Sequence, residues 1–138
     1  MLKVRIMPTL LFKDFGLIKG VRFDSWRRVG SVMQAVKVYN AREVDELVFL
    51  DITATKDGRS PDFETIDEIA DECFMPFTVC VGVKSSDDVR RILHVGADKV
   101  AINTAAVLSP ELIRESAIKF GSQCIVVSID AKRLSDGR

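Results

Sequence analysis

The stretch LVFLDI, residues 47–52, is an almost continuous run of apolar residues, and it decides the fold class. A strand that faces water on one side alternates apolar and polar residues, whereas a strand covered on both faces does not. The stretch CIVVSID, residues 124–130, has the same character. Both stretches therefore predict strands of a parallel sheet that helices cover.

Outward from these two stretches, short runs of β-branched and apolar residues alternate with longer stretches of helical period. This alternation is typical of βα units, so the fold class is α/β. None of the strands is predicted to be an edge that faces water. The five predicted strands are Val4–Leu11, Glu46–Ile52, Phe77–Val81, Lys99–Ile102 and Cys124–Ile129.

Four predicted helices fill the gaps between the strands, and each follows a residue that can cap it. A serine followed by a proline is expected to start two of them, and Ser85 with Asp88 resembles a capping box. Gly96 is predicted to stop the helix that this box starts. The helices and their predicted caps are Val32–Asn40 after Ser31, Phe63–Glu72 after Ser60, the helix from Ser85 to Val95, and Glu111–Phe120 after Ser109.

Composition narrows the class of protein. The chain has 138 residues, of which 47% are hydrophobic, so it can form one folded domain and is not disordered. Its 20 basic and 20 acidic residues cancel, which leaves no net field to attract nucleic acid or anionic lipid. No apolar run approaches the roughly 20 residues of a membrane helix, and the first residues lack a signal-peptide pattern, so a cytoplasmic protein is expected.

Metal and disulfide chemistry are not predicted. The three cysteines are an odd number at wide spacing, and the chain has a single histidine. These counts argue against a disulfide framework and against a zinc site. We expect no metal and no cofactor.

Two architectures fit this pattern. A five-stranded doubly wound sheet matches the length, because such domains cluster at roughly 100 to 150 residues. A closed eight-stranded barrel needs about 200 residues or more, so the chain would form a little over half of one. In both architectures the chemistry lies in loops after the carboxyl ends of strands. The positions to examine are Leu11, Asp51, Gly82, Asn103 and Asp130.

Several motifs resemble a known family. The stretches DELVFLDIT (45–53), SSDDVRRIL (85–93), GADKVAINTAAV (96–107) and FGSQCIVVSIDAKR (120–133) are similar to the cyclase subunit of imidazole glycerol phosphate synthase. That family is a (β/α)8 TIM barrel that takes ammonia from a glutaminase subunit and uses it in histidine biosynthesis. The resemblance implies that residues 1–138 form a single domain, the N-terminal half of a barrel through its fifth strand.

The resemblance also implies catalytic residues. In the family, aspartates at the ends of strands one and five act as general acid and base, and Asp130 matches the second of them. Leu11 occupies the first position, where it cannot transfer a proton. Asp51 matches a position in the catalytic mouth, and Lys19 matches a loop lysine that closes over substrate.

The chain resembles a branch of the family that has a leucine run at strand one, particularly around PTLLFKD (8–14) and DECFMPF (71–77). Its members work beside a glutaminase-like partner in surface-polysaccharide synthesis, where ammonia is thought to amidate a nucleotide-linked amino sugar. The resemblance therefore favours sugar amidation. The alternatives are the histidine-pathway cyclase and a component without catalysis that docks a glutaminase.

Binding residues follow from the same comparison with the family. Gly82, Asn103 and Thr104 match ligands of a substrate phosphate, although Cys80 and Val81 replace two family glycines and are expected to narrow the site. Four further residues lie at the opposite ends of the predicted strands. Three of them match a charged ring that gates ammonia in the family, and the fourth matches a residue that contacts the glutaminase. They are Arg5, Glu46 and Lys99 for the ring and Asp98 for the contact.

The expected partners are a glutaminase subunit and a phosphorylated small molecule, without nucleic acid or membrane. A half barrel exposes strand edges and an apolar inner face. We therefore expect a missing C-terminal half-barrel or self-association to cover them.

Overall fold

The computed structural model describes residues 3–14, 16–22, 24–135 and 137, and over these residues the chain forms one sheet with helices. The strands are β1 (Thr9–Lys13), β2 (Gly16–Val21), β3 (Asp24–Gly30), β4 (Leu47–Asp51), β5 (Phe77–Cys80), β6 (Lys99–Ile102) and β7 (Ile125–Val127). The helices are α1 (Val32–Ala41), α2 (Phe63–Glu72), α3 (Ser86–His94), α4 (Thr104–Leu108) and α5 (Glu111–Phe120), and a 3-10 turn spans Ser122–Cys124.

The order of the strands separates the two predicted architectures. The sheet runs β3-β2-β1-β4-β5-β6-β7, and β1, β4, β5, β6 and β7 are parallel neighbours in chain order. A doubly wound sheet reverses its strand order at a switch point, and this sheet does not. The five parallel strands are therefore an arc of a (β/α)8 barrel, and the predicted fold class is confirmed.

The core lies between this arc and the helices. Register aligns Leu10 with Phe49, Phe49 with Val79, and Val79 with Val100, so these residues share one face of the sheet. All four are buried in one apolar cluster with residues of the helices. The helix residues in this cluster that are completely buried are Val36, Ile66, Ile69, Val89 and Ile92.

The helix starts were partly predicted. The Ser31 hydroxyl accepts the Gln34 N–H, and Ser85 with Asp88 forms the expected capping box. The cap of α2 is Asp62 rather than Ser60, because its carboxylate accepts both the Thr65 N–H and the Thr65 hydroxyl. No helix in the described residues is long and apolar enough to cross a bilayer.

The prediction for Ser109 was also wrong, because helix α5 has Pro110 at its N-cap and no side-chain cap. Ser109 contributes its backbone carbonyl, which accepts the Leu112 N–H at 3.0 Å. The short helix α4 before it was not predicted.

Strand boundaries required larger corrections. The first strand begins at Thr9 instead of Val4, whose side chain is exposed. Between the first predicted strand and the first predicted helix, where no strand was predicted, the chain forms the antiparallel hairpin β2–β3, which extends the sheet. The alternating polar residues of the hairpin remain in contact with water at this exposed edge, so they carry little desolvation cost.

The expectation that none of the five predicted strands is an edge that faces water was wrong for β7, and the unpredicted strand β3 forms the other edge of the sheet. Hairpin strand β3 is mostly exposed, and strand β7 ends in the exposed Val127. Strand β7 is also shorter than predicted, because Cys124 belongs to the 3-10 turn.

Candidate active site

A cavity of about 630 Å³ lies at the carboxyl ends of the parallel strands. Asp51 from the end of β4, Gly82 after β5, Asn103 and Thr104 after β6, and Asp130 after β7 all line it. Parallel strands in register deliver their following loops to one edge of the sheet. The structure therefore brings together five of the six residues predicted for catalysis and phosphate binding.

Asp130 and Asn103 are in direct contact at this cavity. The side-chain amide of Asn103 donates to Oδ2 of Asp130 at 2.8 Å. Asp130 is exposed, so its carboxylate is accessible to a ligand that enters the cavity. The hydrogen bond from Asn103 occupies one acceptor site of the carboxylate, so its other acceptor sites can receive a donor from a ligand in the cavity.

Cys80 forms part of the apolar wall of the cavity. Its thiol is buried, and burial raises its pKa to about 11, with a smaller contribution from the negative charge of Asp130. The thiol is therefore neutral at physiological pH and is a poor nucleophile. Leu50 and Val81 line the cavity beside it.

Asp51 is buried and engaged by its own loop. Its Oδ1 accepts the N–H groups of Thr53 at 2.9 Å and Ala54 at 3.0 Å, together with the Thr53 hydroxyl at 3.0 Å. Arg59 supplies the opposite charge, with Nη2 at 3.3 Å from Oδ2. These partners compensate the cost of burying a carboxylate at the end of β4.

Gly82 has little room for a side chain. A Cβ atom at this position would lie 3.2 Å from the carbonyl carbon of Ala54 and 3.2 Å from the nitrogen of Thr55. The loop after β4 therefore packs directly on the backbone of the loop after β5. This close approach explains why a glycine stands here while Cys80 and Val81 precede it.

Lys19 lies outside this cavity. It is exposed on β2 and lines a second cavity of about 460 Å³, between the hairpin and α1, to which Leu11 also belongs. Trp26 of the same hairpin does line the first cavity, so the hairpin borders both. Leu11 pairs in register with Leu50, and Leu50 lines the first cavity, so Leu11 lies one strand away from that cavity.

The residues predicted for the charged ring meet at the opposite ends of the strands. Glu46 is only 4% exposed, and Arg5 Nη1 lies 3.6 Å from its Oε2. The ammonium of Lys99 and the hydroxyl of Thr78 both donate to Oε1 of Glu46. Asp98 lies beside this group, where its carboxylate accepts the N–H of Phe77 at 2.7 Å.

A family model described as "Histidine biosynthesis protein" matches residues 5–137. The chain belongs to this family. It is 47% identical over 136 residues to the putative imidazole glycerol phosphate synthase subunit hisF2 of Campylobacter jejuni, and 48% identical over 136 residues to the imidazole glycerol phosphate synthase subunit HisF of Streptococcus mutans. Each match covers 99% of this chain and 54% of the relative, so the chain spans about half the length of these relatives.

The predicted resemblance to the cyclase subunit is confirmed by these relatives. In this member of the histidine biosynthesis family, two cationic residues near the cavity were not anticipated. They are Arg59, which pairs with Asp51, and Lys84, which lines the cavity and donates to the carbonyl of Gly58 at 2.9 Å. The signal for Arg59 was present, because a buried Asp51 requires a cationic or donor partner and Arg59 lies in the same polar loop.

Alkylation tests the environment of Cys80. At pH 8 a thiol with a pKa of about 11 is thiolate in about one molecule in a thousand, so iodoacetamide is expected to modify Cys80 much more slowly than the partly exposed Cys124. Peptide mass spectrometry measures both rates. In urea the difference should disappear, and equal rates in the folded protein would contradict the assignment.

Proposed function

We propose that residues 1–138 are the N-terminal part of a (β/α)8 barrel, forming one domain with strands that follow β7. The chain-order sheet and the coverage of about half of each relative support this proposal. The open edge of β7, next to the exposed Val127 and Ile129, supports it as well. The C-terminal half-barrel or a second copy of the chain would pair with this edge.

We infer that the complete protein is an ammonia-dependent synthase subunit that acts on a phosphorylated, sugar-type substrate. The observation that carries this inference is the contact between Asp130 and Asn103 beside the backbone of Gly82 in one cavity. This arrangement places a carboxylate that can exchange protons beside neutral hydrogen-bond donors that can bind a phosphate. A glutaminase related to the HisH type would supply the ammonia.

In this proposal each residue at the cavity has a defined role. Asp130 takes and returns the proton as ammonia adds to the substrate carbon, while the Asn103 amide keeps the carboxylate in place. Gly82, Asn103 and Thr104 bind the phosphate, because glycine leaves the peptide N–H accessible and the two side chains are hydrogen-bond donors. Asp51 assists by organising the loop after β4.

Lys19 has a different place in the proposal. It belongs to the hairpin whose Trp26 already borders the cavity. The hairpin would bring this lysine over bound substrate, where its charge neutralises phosphate and its stem excludes water.

The opposite end of the sheet would receive ammonia. Glu46 is buried and forms ion pairs with Arg5 and Lys99, and this charged group would close the axis of the complete barrel at that end. Rearrangement of these ion pairs would open the passage. Asp98, fixed on the backbone of Phe77, would contact the glutaminase.

Leu11 supports sugar amidation in surface-polysaccharide synthesis as the finer assignment. A cyclisation that needs two facing carboxylates lacks one of them here, since leucine cannot exchange a proton. The names of both relatives favour the second candidate, the cyclase of imidazole glycerol phosphate synthase. A docking component without catalysis is the third, supported by the intact group around Glu46.

Complementation separates the first two candidates. The complete barrel is expressed with a glutaminase in a histidine auxotroph that lacks its own cyclase. We expect no growth at a normal rate with Leu11, because removal of one member of a catalytic pair costs orders of magnitude in rate. The matched variant is Leu11→Asp, which should improve growth if the missing carboxylate is the cause. Normal growth with Leu11 would instead assign the histidine-pathway activity.

Asp130→Asn separates an enzyme from a docking component. The change preserves size and the contact to Asn103 but removes proton exchange, so product formation by the full complex should fall by about a hundredfold or more. Glutaminase activation should be unchanged. Asp71→Asn, on the exposed surface of α2, is the control. Unchanged product formation in the Asp130 variant would favour the docking component.

Sedimentation of the 138-residue chain tests the proposed half-barrel. We expect dimers or larger species at micromolar concentration, because the β7 edge and exposed apolar side chains at both ends of the sheet lack a covering layer. Addition of the matching C-terminal half should convert them into a one-to-one complex. A stable monomer that ignores this half argues against the proposal.

A further inference from the structure

The buried carboxylate of Asp51 is held by one loop, residues 53–59. Two backbone N–H groups and one hydroxyl of this loop donate to its Oδ1, and Arg59 reaches both carboxylate oxygens at 3.3–3.4 Å. Four donors on a buried carboxylate are a strong local constraint, since each is charge-assisted. The loop is thereby fixed to the end of β4.

Arg59 also closes the loop on itself. Its Nη2 donates to the Thr53 hydroxyl at 2.7 Å, and its backbone N–H donates to the carbonyl of Ala54 at 2.9 Å. The Asp57 N–H donates to the carbonyl of Thr53 at 2.9 Å. The guanidinium thus joins the beginning and the end of the loop to the same carboxylate.

This loop forms the wall against which the next loop packs. A Cβ atom on Gly82 would lie only 3.2 Å from backbone atoms of Ala54 and Thr55, and the carbonyl of Gly58 accepts a hydrogen bond from the ammonium of Lys84 at 2.9 Å. The position of the 53–59 loop therefore sets the position of Gly82 and Lys84. Both of these residues line the cavity.

Arg59 itself is not among the described residues that line the cavity, whereas Asp51 and Thr55 are. The guanidinium of Arg59 is therefore not positioned to contact a ligand in the cavity. Its contacts are made with the loop and with Asp51.

We propose that Arg59 is a positioning residue for anion binding: by clamping Asp51 and the 53–59 loop, it holds Gly82 and Lys84 where they receive a phosphate group. This inference rests on the proposed phosphate site, and it adds that the neighbouring 53–59 loop positions the residues of that site. It assigns Arg59 and Lys84 roles that the comparison with relatives does not supply.

Titration with inorganic phosphate tests this role. The probe is followed by nuclear magnetic resonance through the backbone N–H signals of Gly82 and Asn103 in the 138-residue chain. We expect Arg59→Gln to raise the phosphate Kd by about tenfold, which corresponds to the loss of one charge-assisted hydrogen-bond system. The control is Arg90→Gln, which breaks an exposed arginine–aspartate pair on the surface of α3 and should leave the Kd unchanged.

A coupling measurement separates positioning from general destabilisation. Asp51→Asn should raise the phosphate Kd about as much as Arg59→Gln does. The double variant should have a Kd no higher than that of either single variant, since the same clamp is lost in each case. Additive losses would overturn the proposed clamp. Urea unfolding of each variant establishes that it is folded at the temperature of the titration.

The remaining outcomes are also decisive. If the wild-type chain shows no phosphate-dependent shift at Gly82 or Asn103, the proposed phosphate site is wrong and this inference fails with it. If the wild type binds and Arg59→Gln binds equally well, only the role of Arg59 is overturned. Should Arg59→Gln fail to fold, Arg59→Lys decides: the clamp needs a forked group that reaches Thr53 and Asp51 together, so an unchanged Kd in that variant overturns it.

Discussion

The parallel register of β1, β4, β5, β6 and β7 is the constraint on which the rest of the molecule depends. Because these five strands run parallel, the chain leaves each of them at one edge of the sheet and enters the next at the opposite edge. The cavity that contains Asp51, Gly82, Asn103 and Asp130 is a consequence of this order. So is the meeting of Arg5, Glu46 and Lys99 at the opposite edge.

Strand β4 carries a buried carboxylate at each end, and the two are compensated differently. Glu46, immediately before the strand, is paired by groups from the N-terminal segment and from two other strands, namely Arg5, Thr78 and Lys99. Asp51 is paired within its own loop, by Arg59 and two backbone N–H groups. One carboxylate therefore ties distant segments together, and the other fixes a loop at the cavity. Both are placed by the same apolar strand, which could not bury either charge alone.

Local signals were predictable where they depend on a few neighbouring residues. Helices Phe63–Glu72 and Glu111–Phe120 and the strand Lys99–Ile102 have the predicted bounds, and the capping box of Ser85 and Asp88 is present. Asp62 replaced Ser60 as a cap because the choice between adjacent polar residues depends on backbone geometry that composition does not specify. The hairpin β2–β3 was missed because its alternating polar residues resemble a loop until the edge of β1 is available to pair with it.

The sequence by itself determined the alternation of strands and helices, the family, and the residue types that follow each strand, because these depend on local pattern. The pattern of elements alone left open whether the sheet is doubly wound or part of a barrel, since both use the same βα units, and the resemblance to the family favoured the barrel. Only the tertiary structure decided this, through the pairing of strands distant in the chain. It also separated Lys19 from Asp130 and joined Arg59 to Asp51, because side chains meet according to three-dimensional distance and not according to spacing along the chain.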